Sequence, residues 1–417
     1  MKPAPFLPVT LALALAGLPA VIALPAVPQT AAGAGVWLGW LGAGLLSVSL
    51  VLMVREPGFA AWFGGLERMY RWHHALGTVG YALILAHPLA LAAQFLPRDP
   101  QGAWRILSPF TRSWTAGLGW LALLGLVAGL AVTYGRRLRY SLWRPLHASL
   151  GLGVMLGLAH VVTVGGWSVS AWLLIASAGL ALSWRVWRAD RGGGARPYEV
   201  STVSHPSRRL SEVTLRPLAT PLAVAPGQFV MVAFFEGPHY RGCGEYHPFT
   251  ASYTAPDGAL TVDIKDLGDC TRHIQSLEAG VAARVQGPYG TFLADRPEAP
   301  ELWIAGGIGV TPFLAALRAG PVTRSTEFIY LSRELRDAAY LDELNGYAAG
   351  QPLLHVRPLV MQEDPTPLFA MLATVSDLPG RHAYLCGPPP LITAVTKWLR
   401  QHGTPQSHIH FERFDFR

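Results

Sequence analysis

The sequence predicts a multidomain protein: a six-helix α-bundle in a membrane, then a small antiparallel β-barrel, then an α/β domain on a parallel sheet. Three observations lead there. Long uncharged apolar runs fill residues 1–185, short runs alternating apolar with polar residues follow from 197, and buried-type strands alternate with helical stretches from 300 onward. The domain limits on this reading are 1–190, 197–297 and 298–417.

The composition averages two unlike halves. Over 417 residues, 51% are apolar and 14% charged, against roughly 45–50% and about 25% in ordinary soluble proteins. The net charge of +7 does not point to nucleic acid, because much of the arginine flanks apolar runs, a pattern set by membrane orientation. Cys243, Cys270 and Cys386 all lie in the second half, with no Cys-x-x-Cys pair. An iron–sulfur cluster or a zinc site of the usual spacing is therefore not expected, nor is a disulfide framework.

A spanning helix needs about 20 mostly apolar residues. Candidates fall at 9–28, 34–54, 71–95, 114–134, 146–165 and 168–187. The first is interrupted by Pro19, Pro25 and Pro28, so a removed signal peptide competes with a retained span there. Arginines sort the connections: Arg55, Arg68 and Arg71; then Arg136, Arg137, Arg139 and Arg144; then Arg185, Arg188, Arg191 and Arg196. They alternate with uncharged connections or the mixed one holding Arg98, Asp99, Arg105 and Arg112. Positive charge stays inside, so six spans put both ends and the second half in the cytosol.

Histidines mark the membrane half. The third span carries His73, His74 and His87, and the fifth carries His147 and His160. An ionisable residue inside a membrane is costly and marks function by default. Fourteen residues rise about 21 Å along a helix and thirteen about 20 Å, so each helix offers one ligand near either face. That arrangement fits two stacked haems, held by His73 with His147 and by His87 with His160. Fourteen steps return to within about 40° of the starting direction, but thirteen miss by about 140°. The fifth span therefore needs a tilt or bulge, for which Gly151, Gly153, Gly157 and Pro145 are the candidates.

On these residues the first half resembles the ferric-reductase-like transmembrane domain shared by NADPH oxidases and metalloreductases. In that family a His-x-x-Leu-Gly pattern opens the third helix, and His73 to Gly77 matches it with His73 as ligand. His74 is the alternative, one residue out of register.

The second half carries motifs in a telling order: HPFTAS (His247 to Ser252), IKDLGDCT (Ile264 to Thr271), QGPYG (Gln286 to Gly290), AGGIGVTP (Ala305 to Pro312), YLSR and LCGPPP (Leu385 to Pro390). Glycines just after a strand let the backbone approach a pyrophosphate, and a following helix start offers N–H donors. Together the motifs resemble the ferredoxin-reductase superfamily, with an FAD-binding barrel and a Rossmann-like NADPH-binding domain; HPFT is the NADPH oxidase variant. The resemblance implies that Phe249 packs on the flavin, Thr250 bonds near its reactive nitrogen, and His247 reaches the phosphates, with Pro248 and Ser252 in the same motif. It implies Lys265, Gly268, Asp269 and Thr271 along the pyrophosphate. Gly306, Gly307, Gly309, Thr311, Pro312, Gly387 and Pro388 would hold the nucleotide, with Cys386 near the hydride position. Ser332 and Arg333 suit a 2′-phosphate, hence NADPH, with NADH possible. A terminal aromatic covers the flavin in this superfamily, and Phe414, then Phe416, is the candidate.

The expected activity is transfer of electrons from cytosolic NADPH through FAD and two b-type haems to an acceptor across a bacterial-type inner membrane. Oxygen, giving superoxide, is the first acceptor considered. A ferric or cupric chelate is the second, and a separate periplasmic partner the third. No obligate protein partner and no nucleic acid are inferred, and a transporter would need more polar residues lining a path.

Overall fold

A computed structural model describes residues 30–412 apart from 97, 111–112, 135–137, 139, 166–167 and 363. The candidate span at 9–28 and the terminal Phe414 and Phe416 lie outside the described residues. The chain divides into two compact units, one built mainly from Trp62–Ala189 and the other mainly from Asp190–Arg417.

The first unit is helical: α1 Ala31–Val51, α2 Leu66–Ala93, α3 Pro100–Leu107, α4 Trp114–Tyr134, α5 Tyr140–Ala148, α6 Leu150–Gly165 and α7 Val169–Trp184. Thr30 caps α1 by accepting from the Gly33 N–H, and Ser168 caps α7 through Ala171. Among the described residues five stretches are long and apolar enough to cross a membrane: Ala31–Val51, Leu66–Ala93, Trp114–Ala131, Leu142–Val164 and Val169–Asp190. Helices α1 and α2 meet through small residues. A Cβ on Gly42 would lie 3.0 Å from the Gly80 carbonyl, and one on Gly80 would lie 3.1 Å from the Gly42 carbonyl. Lipid offers no hydrophobic drive for helix association, so such close backbone contact does the work.

The fifth span corrects one expectation. Its helix is broken: α5 ends at Ala148, Ser149 sits in a turn, and α6 begins at Leu150. The Ser149 N–H still donates to the Pro145 carbonyl at 3.1 Å, so the hydrogen-bond ladder runs through the turn, and what Pro145 lacks is an N–H for the turn before it. Gly151, Gly153 and Gly157 lie inside α6 instead. Added Cβ atoms there would meet Leu182 at 2.8 Å, Leu126 at 3.2 Å and Ala122 at 3.8 Å, so these glycines admit neighbouring helices rather than bending their own.

The second unit opens with a closed six-stranded antiparallel barrel in the order β1-β2-β5-β4-β3-β6. The strands are β1 Arg196–Ser207, β2 Leu210–Pro217, β3 Phe229–Phe234, β4 His247–Thr254, β5 Leu260–Lys265 and β6 Ala282–Tyr289. Branched residues fill its interior, among them Val200, Val213, Val230, Val262, Ile264 and Val285. A five-stranded parallel sheet follows in the order β11-β10-β7-β8-β9. It comprises β7 Glu301–Gly306, β8 Thr326–Ser332, β9 Leu354–Val360, β10 His382–Cys386 and β11 Ile409–Glu412. The order reverses between β7 and β10. In open parallel sheets the crevice at such a switch point, beyond the carboxyl ends of the strands, is where ligands sit.

Candidate functional site

In the helical unit the histidines stand in two facing pairs. The rings of His73 and His147 are 6.1 Å apart between centres at 83°, and those of His87 and His160 are 6.5 Å apart at 70°. Each pair takes one member from α2, with His147 from α5 and His160 from α6, and about fourteen residues of helix separate the pairs along each span. His74 is exposed beside His73, ring centres 5.4 Å apart, and it is His73 that faces His147.

Each of the four rings is anchored at Nδ1. His87 meets the Gly35 carbonyl at 2.7 Å and His160 the Thr115 carbonyl at 2.8 Å. A carbonyl only accepts, so both Nδ1 atoms carry the proton. His73 meets the Ser49 hydroxyl at 2.8 Å and the Ser49 carbonyl at 2.9 Å, while that hydroxyl donates to the His73 carbonyl at 3.0 Å. His147 meets the Thr133 hydroxyl at 2.9 Å, and that hydroxyl donates to the Gly129 carbonyl, also at 2.9 Å. A hydroxyl has one hydrogen. With it committed elsewhere, each oxygen accepts from Nδ1–H. All four imidazoles therefore hold the same tautomer, with an unprotonated Nε2 as the atom able to ligate a metal.

Sequence reading missed the residues that shape these pockets. A Cβ on Gly39 would strike the His87 ring, and one on Gly119 would strike the His160 ring. Trp143 stacks on His147, ring centres 4.8 Å apart and 8° from parallel, and its N–H donates to the Thr133 carbonyl at 3.4 Å. Ser49, Thr133, Gly39 and Gly119 read in the sequence as ordinary small residues of apolar helices, so only their position opposite a histidine distinguishes them.

In the second unit the switch point gathers the glycine motifs. Ala305 pairs with Cys386 across β7 and β10, so both strand ends open at one level. A Cβ on Gly309 would sit 2.2 Å from the Cys386 carbonyl, and one on Gly306 would sit 2.9 Å from Pro388. Gly307 has φ +56°, a conformation that costs a side chain about 1 kcal/mol or more. Gly387 closes against Gly306. Helix Thr311–Ala319 starts at this point with Pro312 in its first turn, and the Thr311 hydroxyl donates to the Ile308 carbonyl. Ser332 ends β8, buried, with Arg333 exposed after it. The Cys386 side chain packs in the core with Trp303, Phe313 and Tyr384, where burial pushes its thiol well up. What it presents at the switch point is its carbonyl.

The barrel motifs are distributed around the same region. Lys265, at the end of β5, comes 3.4 Å from the Cβ position of Gly307. Burial lowers its ammonium pKa, Asp337 opposes this, and Arg333 and Arg209 add to it. A half-buried ammonium with two arginines nearby suits an anion. The Thr271 hydroxyl accepts from the Leu267 and Gly268 N–H groups, closing the turn that begins helix Asp269–Ile274. Phe249 packs into the barrel core, Thr250 pairs across from Phe229, and half-buried Pro248 pairs with Met231. Ser252 stands apart: it is fully buried, donates to the Thr261 carbonyl and has the Arg318 guanidinium 3.5 Å away. A second correction concerns the cysteines, since Cys243 and Cys270 are joined as a disulfide. Twenty-seven residues separate them in sequence, but the loop before β4 and the helix after β5 return to one place. His247 lies beside this bond, its Nε2 3.9 Å from the Cys243 sulfur.

Two segments of the chain match known families. Residues 38–158 match the ferric reductase like transmembrane component family, and residues 303–397 match the oxidoreductase NAD-binding domain. Residues 38–158 are therefore similar to a ferric-reductase-like transmembrane component, and residues 303–397 to an oxidoreductase NAD-binding domain. The membrane match contains His73, His87 and His147 and stops two residues before His160. The reductase half is similar to ferredoxin–NADP reductase B of Sorangium cellulosum, 29% identical over 39% of this chain and 75% of that protein. It also resembles the reductase component of propane 2-monooxygenase from Rhodococcus jostii, 32% identical over 33% of this chain and 42% of that protein. A further relative is the ferredoxin reductase component of 3-ketosteroid-9-alpha-monooxygenase from Mycolicibacterium smegmatis, 29% identical over 46% of this chain and 56% of that protein. The chain thus spans less than two thirds of the last two. A solved ferredoxin reductase in carbazole 1,9a-dioxygenase is 26% identical, with a TM-score of 0.45 over 53% of this chain and 69% of that one. This ferric reductase-like chain is therefore an oxidoreductase that joins a membrane component to a ferredoxin-reductase-type half with a nucleotide-binding domain.

One network holds barrel and sheet together in this oxidoreductase. The Arg318 guanidinium, on the helix after β7, donates to both Glu343 oxygens at 2.9 Å and to Glu212 of β2 at 3.0 Å. Tyr340 donates its hydroxyl to Asp263 of β5. The switch point and Lys265 are thereby kept in register.

Proposed function

We propose that this protein carries electrons across a membrane, from NADPH at the β7/β10 switch point through FAD to two b-type haems in the helical unit, and on to oxygen at the opposite face. The observation that carries the reading is the pair of facing histidine pairs. An iron–nitrogen bond of about 2 Å and roughly 1 Å from nitrogen to ring centre, counted on both sides, need ring centres about 6 Å apart. The observed 6.1 and 6.5 Å fit, and the four Nε2 atoms are in the ligating form.

His73 with His147 would hold one haem, and His87 with His160 the other. When bound, FAD takes two electrons at once as a hydride, and haem iron accepts them singly. The chain's own part is placement and insulation. Each histidine pair would supply both protein ligands to its haem iron, which would favour outer-sphere electron transfer over binding of an acceptor at the metal. Lys265 and the Gly268–Thr271 turn suit the flavin pyrophosphate, with His247, Phe249 and Thr250 at the flavin. The backbone of Gly306 to Pro312 and of Cys386 to Pro388 would hold the nicotinamide nucleotide, with Ser332 and Arg333 reading its 2′-phosphate and Phe414 as the flavin cover. Arginine-rich connections support a cytosolic reductase half at a bacterial-type inner membrane.

A second acceptor has its own support: the membrane match is to ferric reductase like components, which favours a ferric chelate in place of oxygen. One experiment separates them. Detergent-purified protein is examined by dithionite-reduced minus oxidised spectroscopy, then given NADPH in air with cytochrome c, with and without superoxide dismutase. A b-type spectrum with dismutase-sensitive cytochrome c reduction is the expected result. A b-type spectrum with fast ferric-chelate reduction and no superoxide moves the assignment to the chelate. Absence of haem from folded protein expressed with ample haem overturns the histidine reading. His147→Ala should stop electrons beyond the flavin while NADPH still reduces it.

A further inference from the structure

The two histidine pairs are held by different kinds of partner. His87 and His160 give Nδ1–H to main-chain carbonyls, those of Gly35 and Thr115. His73 and His147 lean on side chains, the hydroxyls of Ser49 and Thr133. Each hydroxyl has spent its hydrogen on a helix carbonyl, of His73 and of Gly129 respectively, and so serves its histidine purely as an acceptor.

An acceptor at Nδ1–H draws that proton outward and leaves more electron density on Nε2, which strengthens the nitrogen as a metal ligand. A stronger donor favours the oxidised metal and lowers its reduction potential. We propose that Ser49 and Thr133 are positioning residues that set the donor strength of His73 and His147. They would thereby set the potential of the haem those two hold, independently of the other haem. The inference rests on the haem reading above.

Thr133 has the larger share for a geometric reason. Its hydroxyl meets His147 Nδ1, and its carbonyl also accepts from Trp143, whose ring stacks on His147. Ser49 shares its load, because its own carbonyl lies 2.9 Å from His73 Nδ1 and survives substitution of the side chain.

The test is a spectroelectrochemical redox titration of the full-length protein with both haems resolved, on wild type, Thr133→Val, Thr133→Ser and Ser49→Ala. Valine keeps the shape of threonine and removes the acceptor, so one of the two potentials should move positive while the other stays in place. Thr133→Ser, which restores the hydroxyl, should return the wild-type value. Ser49→Ala should move the same potential by less. Unchanged potentials in Thr133→Val at full haem occupancy would overturn the proposal, and so would equal movement of both potentials, which marks general loosening. Should the valine variant fail to accumulate, Ser49→Ala against wild type decides by the same criterion. Haem-free wild-type protein would instead sink the underlying haem reading before any variant is made.

Discussion

A methyl group on Gly39 would lie 2.8 Å from Nδ1 of His87, closer than carbon atoms approach a ring. Gly119 stands in the same relation to His160, with 3.0 Å to Nδ1. In both cases the glycine lies four residues after the one whose carbonyl anchors that histidine, Gly35 and Thr115. One helical turn thus supplies the anchor and the next supplies the space. Two helix pairs, α1 with α2 and α4 with α6, use the same device.

Gly39→Ala should therefore push the His87 ring off the Gly35 carbonyl. Overpacking of this kind costs about 1–3 kcal/mol. One of two haem components should be lost or broadened in the reduced-minus-oxidised spectrum, with flavin reduction by NADPH unchanged. A normal two-component spectrum would show that the ring has room elsewhere.

Gly309→Ala meets a harder obstacle, because its Cβ would sit 2.2 Å from the backbone carbonyl of Cys386. Main chain in a parallel sheet cannot step aside as a side chain can. NADPH-dependent reduction should fall by more than tenfold, about 1.4 kcal/mol or more in barrier. Direct reduction by dithionite should still give the wild-type haem spectrum, which locates the defect at the nucleotide.

Arg318→Ala leaves Glu212 and Glu343 facing each other without their shared cation, and Arg318 is only 15% exposed in its pairs. Breaking a buried pair by removing one partner costs about 3–5 kcal/mol, and the partial exposure of both glutamates puts this case at the lower end. Hydrogen exchange should rise along β2 and helix Leu341–Gly350. Arg318→Lys should rescue little, since an ammonium cannot fork between two carboxylates.

Asp263 gives a pH signature. Burial raises its carboxyl to about 6, against hydrogen bonds from hydroxyls that pull the other way. The folded value lies above the unfolded one of about 3.9, so the folded state holds the proton more tightly. This contribution to stability is complete below about pH 4 and is lost as pH rises through 6, roughly 3 kcal/mol in all. Asp263→Asn should remove that slope while its amide oxygen still accepts from Tyr340. Thermal unfolding between pH 4 and 8 should show the variant gaining on the wild type as pH rises, and parallel curves would count against the assignment.

Much of the architecture was readable in one dimension. Apolar runs of about 20 residues announce spans because lipid leaves the backbone no other partner than its own helix. Alternation announced the barrel strands β1, β2, β3 and β5, and strands separated by helical stretches announced the parallel sheet. The glycine runs at 306–309 and 387 were visible because they directly follow strand ends. The bend in the fifth span was also foreseeable as a need, from thirteen residues at 100° each. Of the candidates, Pro145 lies one turn before the irregularity at Ser149, while Gly151, Gly153 and Gly157 admit neighbouring helices.

By itself, then, the sequence determined periodicity, composition and spacing: five apolar helices within the described residues, a barrel, a sheet and histidines one membrane half-thickness or more apart. Only the tertiary structure decided which atoms meet. His73 rather than His74 faces His147, Cys243 finds Cys270 across 27 residues, and Ser252 turns into the seam beside Arg318. The reason is physical: periodicity is a property of neighbours along the chain. A hydrogen bond from His147 to Thr133, or the space Gly39 leaves for His87, belongs to two helices and exists only once they pack.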